Sequence, residues 1–356
     1  MSSIVTVLGT RPQLIKASMV SRALQQAGIE EILVETGQHY DDAMSSVFFR
    51  ELGLPAPAHA LKIGSGTHGD QTGRMLSEIE QVLLQRRPDV VLVYGDTNST
   101  LAGALAASKL HIRVAHIEAG LRSFNRRMPE EINRVLTDHL SSQLFAPTEQ
   151  ARANLQAEGI TQGVAVVGDV MQDVANFFGQ HPTAVLSQQG LKASGYVLAT
   201  IHRAENTDDP RRLQVIVEAL RALAREEPVV FPVHPRTRAA LERLQWHAAL
   251  ENILLLPPQG YLDMVTLEQG ARVIVTDSGG VQKEAYFHRV PCITLRDETE
   301  WTETVATGWN TLLPPQDASA IVAAVRQAQA GQHSEGIYGD GHAAETIARA
   351  LAAQLG

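Results

Sequence analysis

Short apolar runs that alternate with helical periods constrain this chain most. Ile4 to Leu8, Ile32 to Thr36, Val90 to Tyr94, Val114 to Ile117, Leu144 to Ala146 and Val164 to Val167 recur through the first half. Tyr196 to Thr200, Val229 to Val233, Asn252 to Leu256, Ala271 to Thr276 and Pro291 to Leu295 continue the pattern. The apolar runs lack a polar alternate face, so they read as strands covered on both sides, the condition of a parallel sheet. Between them lie stretches with helical spacing, such as Leu14, Ile15, Met19, Val20 and Leu24. Others span Asp42 to Leu52, Gln71 to Arg86, Leu101 to Leu110, Pro210 to Ala224 and Ala343 to Leu355. The alternation predicts an α/β fold with parallel sheets and covered faces. A chain of 356 residues accommodates two such domains. The polar stretch from Gln180 to Ser194 has no period and reads as a connector. We expect a first domain over 1–172, a linker over 173–194, a second domain over 195–340 and a C-terminal helix over 341–356 that packs back on the first domain. The two halves do not repeat in sequence.

Charge and cysteine usage narrow the function classes. A net charge of −9 argues against a nucleic-acid partner, which calls for a basic face. No apolar run approaches the ~20 residues that span a bilayer, so no membrane partner is expected. The N-terminus reads as a strand and not as a signal peptide. The single cysteine, Cys292, fits a reducing cytoplasm and reads as a small core residue.

The chemistry-bearing residues gather where strands end, which is where open α/β sheets bind ligands. Thr276-Asp277-Ser278-Gly279-Gly280-Val281-Gln282 follows a strand and opens onto a helix expected to start at Glu284. Free backbone N–H groups and two glycines there suit a phosphate or pyrophosphate. His202, His234 and Arg296 follow other strands of the same half. In the first half the strand ends carry Arg11, Asp96 and Glu118, with Lys16 on the first helix. Glu130 and Glu131 sit at a helix start, where one acid has a sufficient dipole reason and the other is left to point elsewhere. Carboxylates suit proton transfer; the glycine turn, histidines and arginines suit a nucleotide diphosphate. If the two edges face across a cleft, a nucleotide sugar needs both. A metal held by Asp96, His116 and Glu118 is the main rival, with no His-x₃-His or Cys pair to reinforce it. Ser278 as a hydrolase nucleophile lacks the Gly-x-Ser-x-Gly setting.

At these residues the chain resembles the non-hydrolysing UDP-N-acetylglucosamine 2-epimerases. The resemblance runs nearly end to end. It is carried by Gly9-Thr10-Arg11-Pro12 with Lys16, Tyr94-Gly95-Asp96-Thr97-Asn98, His116-Ile117-Glu118-Ala119-Gly120-Leu121-Arg122 and Pro129-Glu130-Glu131-Ile132-Asn133-Arg134. Pro232-Val233-His234-Pro235, the Thr276 to Gln282 stretch with Glu284, and Arg296-Asp297-Glu298-Thr299-Glu300 complete it. The resemblance implies two Rossmann-like domains of the GT-B type, a UDP-sugar substrate, a homodimer, no cofactor and no metal. It implies loss of the C2 proton with departure of UDP from C1, a 2-acetamidoglucal intermediate, and return of UDP as a proton reaches the opposite face. By matching position, Asp96, Glu118 and Glu130 are acids and bases, and His202 assists the diphosphate. Arg11 and Lys16 lie near the sugar phosphate; Ser278, Gly279 and Gly280 hold the diphosphate and Glu284 the ribose. Cell-surface polysaccharide is the destination the family implies.

Two departures bear on the substrate. Thr299-Glu300-Trp301-Thr302-Glu303 stands where many members have Thr-Glu-Arg-Pro-Glu. Of a glutamine pair that binds an activating UDP-sugar in some members, Gln38 matches one and Asp41 stands near the other. Trp301 and Gly168-Asp169-Val170-Met171-Gln172-Asp173 resemble the branch acting on UDP-2,3-diacetamido-2,3-dideoxyglucuronate. A glycosyltransferase of the same architecture, or a UDP-sugar sensor without turnover, would share the UDP pocket but need no acidic trio.

Overall fold

The structure, a computed structural model, describes residues 3–38, 49–246, 250–332 and 336–355. It divides into two compact units, Met1–Val174 with Glu335–Gly356, and Ala175–Ser334. Both are α/β.

The first unit holds a seven-stranded sheet in the order β3-β2-β1-β4-β5-β6-β7. Its strands are β1 Ser3–Leu8, β2 Glu30–Glu35, β3 His59–Ala60, β4 Val90–Tyr94, β5 Arg113–Ile117, β6 Gln143–Ala146 and β7 Val164–Val166. All neighbours pair in parallel. Every residue of β4 is buried, as an apolar run between two helical layers must be. Helices α1 Arg11–Gln26, α2 His68–Arg86, α3 Asn98–Lys109, α4 Pro129–Leu140 and α5 Glu149–Ala157 cover the sheet. On one face Val5, Val7, Val34, Val91 and Val93 pack with Met75 and Ile79 of α2 and Ala102 and Ala106 of α3. Helix α3 is rich in alanine because it lies close to the strands. A Cβ at Gly103 would stand 3.2 Å from both Val7 and Val93. At Gly9 the approach is closer still, and an added Cβ would collide with Ser99 Oγ. Helix α6, Val170–Gly179, follows β7.

The second unit holds a six-stranded parallel sheet in the order β10-β9-β8-β11-β12-β13. Its strands are β8 Val197–Thr200, β9 Val229–Pro232, β10 Leu254–Leu256, β11 Val273–Thr276, β12 Cys292–Thr294 and β13 Asn310–Leu312. Its helices are α7 Val185–Gln188, α8 Ala204–Thr207, α9 Pro210–Leu223, α10 Pro235–Arg243, α11 Tyr261–Gly270, α12 Gly279–Phe287, α13 Thr302–Ala306 and α14 Ala318–Gln327. Helix α15, Ala343–Leu355, belongs to the first unit and packs on α1. The one buried cysteine, Cys292, sits on β12 beneath α12 and α11 in the apolar core, with its thiol pushed up to about 12 by burial.

In each sheet the strand order reverses once, between β1 and β4 and between β8 and β11. At such a reversal the two following connections leave toward opposite faces and open a crevice at the carboxyl ends. That crevice receives Arg11 and Asp96 in the first unit, and His202 and Ser278 in the second.

Several boundaries differ from the sequence reading. The helix expected from Glu284 begins at Gly279 with Ser278 as its N-cap, so the glycines form its first turn. The Ser278 hydroxyl accepts from the Val281 N–H at 3.4 Å, a capping signal that apolar periodicity does not register. The expected connector from Gln180 to Ser194 carries the short helix α7. Strands β3 and β13 were not anticipated, being two and three residues long with polar members. Of the expected helix from Asp42 to Leu52, residues 42–48 lie outside the described residues, as does Asp41, and 49–51 are helical.

Candidate active site

One buried residue stitches the crevice of each sheet. In the first unit this is Gln13. Its Oε1 accepts from the Gly9 N–H at 2.8 Å and the Thr10 N–H at 3.1 Å. Its Nε2 donates to the Tyr94 carbonyl at 2.7 Å and lies 3.0 Å and 2.9 Å from Thr97 Oγ1 and Thr100 Oγ1. The turns after β1 and β4 are thereby locked together. Thr97 also caps α3, accepting from the Thr100 N–H. In the sequence only the Thr10-x-x-Gln13 spacing of a capping box points to Gln13; the partners of its Nε2 are more than 80 residues away.

Asp96 follows the left-handed Gly95, which has φ +63°. Its carboxylate accepts from the Arg134 guanidinium of α4 at 2.6 Å, and its carbonyl accepts from Asn133 Nδ2 at 2.9 Å. Glu118 follows β5 with φ +71°, a backbone state uncommon outside glycine. The Ala119 and Glu118 N–H groups both donate to the Phe145 carbonyl at 3.2 Å. The Glu118 carboxylate pairs with Lys16 Nζ of α1. Burial works against charge on Lys16, but Glu118, and then Asp169 and Asp96, outweigh it and raise its pKa. For Asp96, burial raises the pKa. Arg134 and Lys16 oppose this, Glu118 adds to it, and the net shift is upward. The structure therefore brings Asp96, Glu118 and Lys16 into one electrostatic cluster. It leaves Arg11 half-buried at the first position of α1.

The two adjacent glutamates divide. Glu131 is buried and accepts from the Ser123 N–H at 2.9 Å, the Phe124 N–H at 2.8 Å and Arg134 at 2.8 Å. Burial raises its pKa, and these bonds more than reverse the effect. Glu130 is exposed in the first turn of α4.

The rival metal reading finds no support at His116. His116 is buried with Nδ1 2.7 Å from Asp138 Oδ1 and Nε2 2.7 Å from the Gly95 carbonyl. Both ring nitrogens are thus engaged by protein oxygens, and neither is open to a cation. Glu118 lies beyond the end of β5, so the strand alternation that would pair it with His116 has stopped. Asp138 also accepts from the Gly120 N–H at 3.1 Å and from Arg122 at 2.7 Å. Arg122 pairs further with Glu158 at 2.7 Å. The hub thus sits beneath the turns after β4 and β5, touching Gly95 through His116 and Gly120 directly.

In the second unit the stitch is Asp277, which is fully buried. Its carboxylate accepts from the His202 N–H, the Arg203 N–H and Asn206 Nδ2, each at 3.0 Å. This joins the ends of β8 and β11. Arg203, which the sequence reading passed over, donates from Nε to the Asp277 carbonyl at 3.0 Å. The His202 and His234 rings lie 5.4 Å apart. Burial lowers the His202 pKa. Asp277 opposes this, and Arg203 and Arg236 add to it. His234 caps α10, accepting from the Arg236 N–H at 3.2 Å.

Around the start of α12 the loop after β12 packs closely. A Cβ on Gly279 would stand 2.8 Å from Glu300 Oε1, 3.6 Å from Arg203 and 3.7 Å from Trp301 Nε1. Neither Gly279 nor Gly280 has positive φ, so here close approach and not backbone freedom calls for glycine. Arg296 is buried and pairs with Glu300 at 2.8 Å. Glu284 is buried with its Oε2 3.9 Å from where a Gly280 Cβ would be. Lys283 places its Nζ 4.0 Å from the Trp301 ring centroid, a cation–π contact from the second turn of α12. Gln38, in the first unit, is buried and committed to the fold: its Oε1 accepts from Ser99 N–H at 3.0 Å and Ser99 Oγ at 2.7 Å.

Comparison with known proteins is consistent across the chain. The model of the UDP-N-acetylglucosamine 2-epimerase family matches residues 22–352. A UDP-2,3-diacetamido-2,3-dideoxy-D-glucuronate 2-epimerase of Pseudomonas aeruginosa is 53% identical over 356 residues, covering 98% of this chain and 99% of the relative. A UDP-N-acetylglucosamine 2-epimerase of Methanocaldococcus jannaschii is 47% identical over 359 residues, covering 97% of each. The crystal structure of the M. jannaschii UDP-GlcNAc 2-epimerase in complex with UDP-GlcNAc and UDP has a TM-score of 0.87 at 46% identity, with 99% of each chain covered. With that match over most of its length and a parallel α/β sheet in each unit, the chain belongs to the UDP-N-acetylglucosamine 2-epimerase family.

Proposed function

We propose that this protein interconverts UDP-GlcNAc and UDP-ManNAc by eliminating UDP to 2-acetamidoglucal and adding it back. The observation that carries this reading is the cluster of Asp96, Glu118 and Lys16 at the carboxyl ends of β4 and β5. Two carboxylates in unequal surroundings divide the work of acid and base. Glu118, ion-paired with Lys16, takes the C2 proton. As the C2–H electrons form the C1–C2 double bond, the C1–O bond breaks and UDP departs as an anion. Asp96, with its raised pKa, delivers a proton to the other face of C2 as UDP re-forms the C1–O bond; the reverse direction exchanges the two roles. Glu130 completes the acid–base set. Ser278, Gly279 and Gly280 hold the diphosphate on the first-turn N–H groups of α12. His202 and His234 donate to it, Glu284 binds the ribose hydroxyls, and Arg11 and Arg296 balance the phosphate charge. The family resemblance further supports a cytoplasmic homodimer that feeds cell-surface polysaccharide.

A second substrate is favoured by Trp301 and by the Pseudomonas relative: UDP-2,3-diacetamido-2,3-dideoxyglucuronate, by the same steps. Proton NMR in D₂O decides. UDP-GlcNAc should gain deuterium at C2 and yield UDP-ManNAc. Exchange seen only with the diacetamido uronate selects the second substrate. No exchange with either ends the epimerase reading.

The diphosphate assignment has its own test. Gly279→Ala forces Glu300 away from the turn and should weaken UDP binding about tenfold by calorimetry. Wild-type affinity would remove this turn from the UDP site.

A further inference from the structure

We propose that Arg134 is a positioning residue for the epimerisation, its guanidinium fixing the carboxylate of Asp96 while Glu131 anchors it from behind. The guanidinium spans two acids, one nitrogen 2.6 Å from Asp96 Oδ2 and another 2.8 Å from Glu131 Oε2. A planar fork held at two points cannot swing toward one acid without leaving the other. Glu131 is itself immobilised by Ser123 and Phe124, so the anchor is not a free side chain. Asn133, one residue earlier on α4, holds the Asp96 carbonyl at 2.9 Å and reaches Asn98 at 3.3 Å. Asp96 is therefore gripped at its backbone by Asn133 and at its carboxylate by Arg134, both from the same helix. Three charged side chains act on it: Arg134 from α4, Glu118 after β5, and Lys16 from α1, which Asp169 also faces. Arg134 is the one that touches it, and removing that charge leaves Asp96 more exposed to repulsion from Glu118.

The role of Arg134 rests on the epimerase reading, and its test separates the two. Protein labelled with ¹³C at aspartate carboxyls reports the Asp96 titration, assigned by its loss in Asp96→Asn. In Arg134→Gln, Asp96 should titrate at higher pH than in wild type. The kcat for C2 exchange should fall by about 10²-fold with KM within about threefold. Arg134→Lys keeps the charge but reaches one acid only, so its kcat should lie between the two. An unmoved Asp96 titration in Arg134→Gln, or a loss confined to KM, overturns the proposal. Should Arg134→Gln not fold, wild-type kcat in Arg134→Lys overturns it equally. If wild type exchanges C2 hydrogen in neither sugar nucleotide, the epimerase reading fails while the Asp96 titration still judges Arg134.

Discussion

Asp96→Asn should reduce C2 exchange by about 10³-fold while UDP affinity stays within about threefold of wild type. Asparagine keeps the size of the side chain and can still accept from Arg134, so the turn after β4 has no reason to move. What it cannot do is carry a proton. The split between exchange and affinity is the informative part, because the diphosphate is assigned to α12 in the other unit and Asp96 to C2 chemistry alone. Exchange would be followed by loss of the C2 proton signal in D₂O, and UDP affinity by calorimetry. Exchange within tenfold of wild type would take Asp96 out of the mechanism. A parallel fall in UDP affinity would show that Asp96 acts through the structure of the nucleotide site. The raised pKa of Asp96 bears on the same experiment. Burial and Glu118 both favour its protonated form, against Arg134 and Lys16. It is thus suited to donate where an ordinary exposed aspartate would already be ionised.

The positions of Asp96, Glu118, His202 and Ser278 were legible in the sequence because a fully apolar run marks a strand and its last residue marks the ligand edge. Rank within each sheet was not legible: β4 pairs with β1 across the intervening β2 and β3, and only that order shows that Arg11 and Asp96 share one crevice. The residue pattern alone did not choose between Glu130 and Glu131; only the family resemblance pointed to Glu130. Both satisfy the helix dipole, and the difference arises from a loop folding back so that Ser123 and Phe124 donate to Glu131. Helix α12 was placed late because Gly-Gly-Val-Gln offers no apolar period. The long-range ties of Gln13 and Asp277 left no local trace either, since they are made to partners distant in sequence. Both nevertheless perform the same task, tying the two turns that flank the reversal of strand order.

The hub at Asp138 supports the largest stability effect we expect. Its carboxylate is fully buried and faces His116, Arg122 and the Gly120 N–H. Asp138→Ala removes the only anion that touches both His116 and Arg122 among the described residues, leaving Glu158 for Arg122 alone. Breaking a buried ionic group from one side costs about 3–5 kcal/mol, because the remaining charge stays desolvated. Urea unfolding should show a loss of that size with an unchanged m value, and a midpoint equal to wild type would refute it. The pH dependence carries an independent sign. Burial alone would raise the Asp138 pKa, but His116 and then Arg122 lower it overall. A carboxylate whose folded pKa is depressed contributes its full stability above the unfolded value of about 4, and that contribution is lost as pH falls through the folded value. Wild type should therefore lose stability below about pH 4 more steeply than Asp138→Ala, and the two curves should converge in acid. The geometry makes the loss more than global. The same carboxylate holds Gly120 behind Glu118 and, through His116, Gly95 before Asp96, so even under conditions where Asp138→Ala remains folded its C2 exchange should fall through kcat rather than KM.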